Sequence, residues 1–187
     1  SEIMLQNNPD EKTRLKVENI QMSCKRLNSL VDDLIDFSDL RTGKYEINVS
    51  KYSVDSLIND IVEFAYVLRK NKDIEIIADC DSTIPCELFG DEAKIKRVVY
   101  NIIGNAAKFT SIGCIAIKIG YRREFYGINL VITVKDTGIG MDKHNIEKIF
   151  SSFNQADTKR NRQEGGVGLG LPIARAIIEH MNGTITV

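Results

Sequence analysis

The sequence predicts a two-layer α+β sandwich, with helices on one face of a largely antiparallel sheet, preceded by a long helix of the bundle type. Two observations predict this fold class. An apolar repeat of seven residues runs through residues 11–41, and from residue 43 onward β-branched segments alternate with helical ones. The 187 residues are 43% hydrophobic and 27% charged, which is typical of a globular chain.

The first predicted element, the helix over residues 11–41, carries its apolar residues on one stripe. Asp10 is placed to cap its start and Gly43 to end it, while residues 2–6 are expected to end a preceding helix. A stripe of this length favours a helical hairpin that pairs with a second copy in a homodimer; packing on its own domain is the alternative. The stripe consists of Ile20, Leu27, Leu30, Val31, Leu34 and Phe37.

The second part of the chain is predicted from the period of its apolar residues. Ser53 is expected to cap the first of its helices, and a turn is expected around Pro85. Glycine-rich and polar residues over 137–170 predict a loop. The predicted strands are residues 45–49, 74–78, 115–121, 130–134 and 184–187, and the predicted helices are residues 53–69, 91–109 and 171–181.

Composition excludes several function classes. The net charge of −1 produces no broad field that would attract nucleic acid or anionic lipid, so any anion site must be local. No apolar run approaches the roughly 18 residues of a membrane span. The cysteines lack the close spacing of a zinc or redox motif, and we expect buried free thiols and a cytoplasmic location, with membrane attachment of a longer protein left open. These cysteines are Cys24, Cys80, Cys86 and Cys114.

A D-x-G-x-G segment follows the predicted strand 130–134. Its Asp136 could accept a hydrogen bond from an exocyclic amine such as that of adenine, and Gly138 and Gly140 would let the backbone approach a ligand. By itself the segment is equally compatible with a simple turn.

A glycine-rich segment, residues 165–170, opens the last predicted helix. Backbone N–H groups at the positive end of a helix suit phosphate oxygens. The spacing is not the Walker pattern, because no Gly-Lys-Ser/Thr follows it, and the segment does not follow a strand as a dinucleotide motif would.

Three polar residues lie on one face of the predicted helix 91–109. Asn101, Asn105 and Lys108 are spaced by four and three residues. Two carboxamides and an ammonium on one face could carry magnesium and phosphate charge together, although capping or solvation could explain each of them singly.

Two aromatic residues, Phe150 and Phe153, precede a basic run over residues 158–164. A lid that brings cations over phosphates is one interpretation of this arrangement. An ordinary solvated loop is the other interpretation.

Taken together and in their order along the chain, the four segments resemble the N, G1, F and G2 boxes of the histidine-kinase catalytic domain. The wider group includes DNA gyrase, the MutL repair proteins and the heat-shock chaperone ATPases. The resemblance covers residues 11–187, and residues 154–157 are similar to hybrid kinases that also carry a receiver domain. It implies that residues 1–42 are a partial dimerisation and phosphotransfer hairpin, and that residues 43–187 are an ATP-binding domain truncated at its last strands.

The resemblance also implies roles for individual residues. Asn105 would coordinate magnesium with Asn101 assisting, and Lys108 would contact a phosphate of ATP. Asp136 would hold the adenine amine. Val167 stands where the family usually has Thr or Ser, so one hydroxyl contact is lost. Arg97 stands where glutamine is common. The other implied binding residues are Gly138, Gly140, Phe150, Phe153, Gly166, Val167, Gly168, Leu169 and Gly170.

Asn101 helps to choose an activity within this group. The ATPase relatives carry a glutamate at this position as the base for water, and a carboxamide cannot take that proton. The family's acceptor histidine has a sequence context that neither His144 nor His180 shares. We therefore expect a histidine-kinase core that binds ATP but does not phosphorylate itself, with a response-regulator receiver as partner. The alternatives are a degenerate signalling module and, less favoured, an ATPase.

Overall fold

The computed structural model describes residues 11–69, 72–142, 146, 149–150 and 168–187. The chain divides into two compact units, Ser1–Tyr45 and Glu46–Val187. Among the described residues, no helix is long and apolar enough to cross a membrane.

In the first unit, the structure describes one long helix, α1 (Glu11–Thr42). Its end follows the prediction: Gly43 has a φ of +69°, and the N–H of Lys44 donates to the carbonyl of Asp39 at 3.0 Å. Much of the predicted stripe lies at the surface of the helix. Its exposed members, between 48% and 61% accessible, are Ile20, Leu27, Val31 and Leu34.

The second unit alternates strands and helices. The three-stranded sheet has the order β2-β4-β5, with β2 parallel and β5 antiparallel to β4, and β1 pairs with β3 in a separate antiparallel pair. Its elements are β1 (Ser50–Ser53), α2 (Val54–Arg69), β2 (Asp73–Cys80), β3 (Glu87–Gly90), α3 (Glu92–Phe109), β4 (Ile112–Glu124), β5 (Gly127–Asp136) and α4 (Gly170–His180).

The core of this unit lies between the three-stranded sheet and α2 and α3, as the predicted two-layer fold requires. Strand β4 alternates, so that Ile117 and Ile119 are buried whereas Lys118 between them is exposed. Facing them are Ile61 of α2 and Ile103 of α3, which are both fully buried.

Helix α3 is fixed firmly in this core. Asp91 caps it, because one carboxylate oxygen accepts from the N–H of Lys94 at 3.0 Å and the other from the N–H of Asn48 at 2.9 Å. Tyr100 stacks on Phe64 of α2, with ring centroids 4.0 Å apart. Bonds to the carboxylates of Asp60 and Glu92 hold the pKa of Lys96 well above its usual range. The face of α3 that carries Asn101, Asn105 and Lys108 therefore has a rigid base.

The predicted strand over residues 45–49 is wrong. The first strand is β1, and its partner is β3, which the sequence analysis missed. The N–H of Asn48 is bound by the carboxylate of Asp91 rather than by a neighbouring strand. The predicted strand over residues 184–187 does not form either, since it pairs with none of the described strands.

The expectation of buried thiols is also wrong. All four cysteines are free, but Cys24, Cys80 and Cys86 are exposed and only Cys114 is partly buried. Cys80 ends β2 and Cys86 lies in the segment before β3, where the core does not cover them.

Candidate functional site

The candidate site is built on one face of α3. Asn101, Asn105 and Lys108 are each partly buried, and their spacing places them on successive turns of one stripe. Both ends of the helix are fixed, by Asp91 at the start and by the N–H of Thr110, which donates to the carbonyl of Ala106 at 3.0 Å. The stripe is therefore a rigid row of polar side chains at the border of the core.

The start of α4 meets the first residue of the stripe. The amide nitrogen of Asn101 lies 3.4 Å from the carbonyl oxygen of Gly170. A Cβ at Gly170 would lie 3.1 Å from Oδ1 of Asn101, so a side chain at this position would crowd the contact. The first residue of α4 is thereby joined to α3 across 69 residues of sequence.

The start of α4 carries the positive end of the helix dipole. Gly168 has a φ of +73°, which favours glycine, and Leu169 at the N-cap supplies no side-chain hydrogen bond. The first turn of α4 contains no acidic residue. Among the described residues, the N-cap supplies no capping side chain and the first turn no carboxylate, so this end of α4 can attract an anion.

The D-x-G-x-G segment, residues 136–140, forms a turn that packs against the other end of α3 and is called the Asp136 turn. The N–H of Gly138 donates to Oδ1 of Asp136 at 2.9 Å, and the N–H of Ile139 lies 3.4 Å from the carbonyl of Phe109. A Cβ at Gly138 would lie only 2.6 Å from that same carbonyl oxygen. Because a side chain would not fit so close to the helix, only glycine suits position 138. The exposed carboxylate of Asp136 thus lies beside the end of α3. Gly140 follows with a φ of +67°.

Thr137, which the sequence analysis did not single out, ties this turn to the sheet. Its hydroxyl accepts from the N–H of Cys114 at 2.9 Å, and its own N–H donates to the carbonyl of Cys114 at 3.1 Å. A threonine inside a glycine turn is a weak sequence signal, because its partner lies 23 residues away.

The stripe thus connects two different chemical environments. From Asn101 to Phe109 the helix rises by about 12 Å, with the α4 start at one end and the Asp136 turn at the other. The Nζ atom of Lys108 lies 5.2 Å from the centre of the Phe109 ring, toward the second end. Helix α3 therefore lies between the anion-attracting start of α4 and the carboxylate of Asp136.

Phe150 packs near α4. The guanidinium of Arg175 lies 5.4 Å from the centre of its ring and is held by Glu179 at 2.8 Å. Several predicted residues fall outside the part of the chain that the structure describes. They are Phe153, Gly166, Val167, His144 and the basic run over residues 158–164.

His180 lies in the last turn of α4, as predicted from its position. Its Nδ1 atom is 2.9 Å from the carbonyl oxygen of Ala176. Within the described residues, no group of three or more His, Cys, Asp or Glu side chains could hold a metal ion alone.

The family described as "Histidine kinase-, DNA gyrase B-, and HSP90-like ATPase" matches residues 90–187. The peroxide stress-activated histidine kinase mak2 of Schizosaccharomyces pombe is 35% identical over 91% of this chain. The hybrid signal transduction histidine kinase A of Dictyostelium discoideum is 33% identical over the whole chain. The chain spans only 8% and 9% of the lengths of these two relatives.

Solved structures agree with the fold. Full-length ShkA in complex with AMPPNP has a TM-score of 0.75 and 27% identity, over 96% of this chain and 36% of that one. Acinetobacter baumannii histidine kinase AdeS, at 19% identity, has the same fold with a TM-score of 0.71, over 98% of this chain and 82% of that one. The family match spans the stripe of α3, the Asp136 turn and the start of α4, and the chain belongs to the family of histidine kinase-, DNA gyrase B- and HSP90-like ATPases.

Proposed function

We propose that this chain is the ATP-binding catalytic core of a sensor histidine kinase. It would transfer the γ-phosphate of ATP to a histidine outside this chain, for relay to an aspartate of a response regulator. One observation carries the proposal: the stripe of α3 joins an anion-attracting helix start to the exposed carboxylate of Asp136. ATP has the complementary form, with phosphates at one end and an exocyclic amine at the other.

At the base end, Asp136 would accept the adenine amine. Its Oδ1 atom is held by the N–H of Gly138, and no hydrogen bond from the described residues engages Oδ2. A carboxylate oxygen accepts a hydrogen bond from an amine but repels a carbonyl oxygen. Gly138 and Gly140 would form the wall of this pocket, and the site should prefer adenine to a 6-oxo purine.

At the phosphate end, the backbone before α4 would bind the phosphate oxygens. Gly168, Leu169 and Gly170 would take this role, together with Gly166 and Val167, which lie outside the described residues. Lys108 would add a positive charge when its flexible side chain turns from the ring of Phe109 toward the phosphates. Phe150 and Phe153 would anchor the basic segment that follows them.

The residues present fit a magnesium ion bound together with ATP. Mg²⁺ prefers oxygen ligands and is usually held by one or two protein groups plus substrate phosphates. Asn105 would supply such an oxygen. Asn101 is partly engaged by Gly170, which suits an assisting role. When bound, the ion neutralises charge on the phosphates, while the residues of α3 and α4 hold the nucleotide in position.

Kinase chemistry is favoured over water-directed ATP hydrolysis because Asn101 offers an amide where a base would be needed. Calorimetric titration of the folded chain with a non-hydrolysable ATP analogue and magnesium should give saturable one-to-one binding. A parallel assay with ATP should give very slow hydrolysis. Fast hydrolysis would favour the ATPase alternative, whereas no binding by a chain shown to be folded by circular dichroism would favour a non-catalytic module.

The partners are part of the same proposal. A receiver domain is supported by the hybrid kinases among the relatives and by the Asn-Gln-Ala-Asp segment at residues 154–157. A cytoplasmic location would supply the ATP. The hairpin assignment of residues 1–42 is supported by the exposed apolar stripe of α1.

The stripe of α1 should hold two copies of the full protein together. Replacing Leu27 and Leu34 jointly with asparagine is expected to weaken dimerisation about 100-fold or more, because four exposed leucines that the interface would bury are lost per dimer. Sedimentation equilibrium measures this change. Leu15→Asn is the matched control, since Leu15 is similarly exposed but lies off the stripe. An unchanged dimer in the double variant would refute this surface as the interface.

A further inference from the structure

Lys72 makes two contacts that link distant parts of the second unit. Its ammonium donates to the carbonyl of Ala107 at 2.5 Å and to the carbonyl of Thr110 at 3.3 Å. Lys72 lies just before β2, whereas both carbonyls belong to the end of α3. The side chain is partly buried, so these contacts are sheltered from water.

The end of α3 requires such a partner. The last carbonyls of a helix have no partner within the helix, and together they form the negative end of its dipole. Thr110 is fully buried, so water can replace a lost donor only poorly. A charged donor at this position therefore fixes the backbone from Ala107 to Thr110.

Phe109 lies between these two carbonyls and passes the constraint on to the Asp136 turn. Its own carbonyl accepts from the N–H of Ile139 at 3.4 Å and stands against Gly138. The N–H of Gly138 in turn holds the carboxylate of Asp136. Backbone groups of the α3 end and of the Asp136 turn thus connect the ammonium of Lys72 to the carboxylate of Asp136.

We propose that Lys72 is a positioning residue for base recognition: its ammonium holds the end of α3 where the Asp136 turn must pack. This inference rests on the proposed function. Lys72 would not touch the nucleotide. It would set where the carboxylate stands, and so it would govern the discrimination between adenine and a 6-oxo purine more than the binding of phosphates.

The test compares Lys72→Met and Lys72→Gln with the native chain. Calorimetry would measure the affinity for a non-hydrolysable ATP analogue and for the corresponding inosine nucleotide. In Lys72→Met the preference for adenine should fall about fivefold, less than the loss of a direct charged hydrogen bond would cause. Lys72→Gln, which keeps one neutral donor, should be intermediate. Lys118→Met removes an exposed lysine of β4 and should leave the preference unchanged.

The outcomes separate this inference from the proposed function. A native chain that binds no ATP analogue would overturn both. A native chain that prefers adenine, beside folded Lys72 variants with the same preference, would overturn the inference alone. An equal loss of both affinities, or failure of both variants to fold, would assign Lys72 to stability and would also overturn it.

Discussion

Replacing Asn105 with alanine is expected to lower the affinity for a non-hydrolysable ATP analogue in the presence of magnesium about 100-fold. Asn105 is the central residue of the stripe on α3, and the described residues offer no cluster of acidic side chains that could hold the ion in its place. Without magnesium, the variant and the native chain should bind alike, because the phosphate contacts of α4 are retained. Calorimetric titrations with and without magnesium measure both effects.

A matched control for this change is Asn129→Ala. Asn129 lies on β5 and bonds the side chain of Glu124 at 3.1 Å, so its loss removes an amide remote from the stripe. Asn105→Asp, which keeps an oxygen ligand, should retain more of the magnesium dependence than the alanine variant does. If Asn105→Ala lost affinity equally with and without magnesium, Asn105 would be a phosphate or packing contact and not a metal ligand.

Much of the fold could be predicted because its signals are local. The predicted helix over residues 91–109 matches α3, with Asp91 as its cap and not its first residue, and the strands β4 and β5 meet through a short turn between Glu124 and Gly127. The first strand was misplaced for a long-range reason. Residues 45–49 look like a strand, but the backbone of Asn48 is bound by a carboxylate that lies 43 residues away.

The site could be predicted as separate segments but not as an assembled surface. Helical spacing alone places Asn101, Asn105 and Lys108 on one face. That Asn101 meets Gly170, and that Phe109 meets the Asp136 turn, depends on tertiary contacts without a local signal. Lys72 and Thr137 were missed because their partners are also distant in sequence. A lone lysine before a strand and a threonine in a turn are common, so neither residue stands out in the sequence.

Gly138→Ala is expected to destabilise the second unit by about 3 kcal/mol and to weaken binding of an ATP analogue about tenfold or more. The new Cβ would lie 2.6 Å from the carbonyl oxygen of Phe109 and 2.9 Å from its carbonyl carbon. These are backbone atoms of a capped helix, so they cannot rotate away as a side chain could. The turn would have to move instead and carry the carboxylate of Asp136 with it.

Urea denaturation and calorimetric titration measure the two parts of this prediction. Gly120→Ala is the control, because Gly120 lies in β4 with no atom within 4 Å of its added Cβ, and it should change the stability by less than about 1 kcal/mol. The nucleotide preference is a further readout. Strain at the turn displaces the carboxylate of Asp136, so the variant should lose its preference for adenine over inosine nucleotides. A stable Gly138→Ala protein with native adenine preference would contradict both the close packing of the turn on α3 and the role of that packing in base recognition.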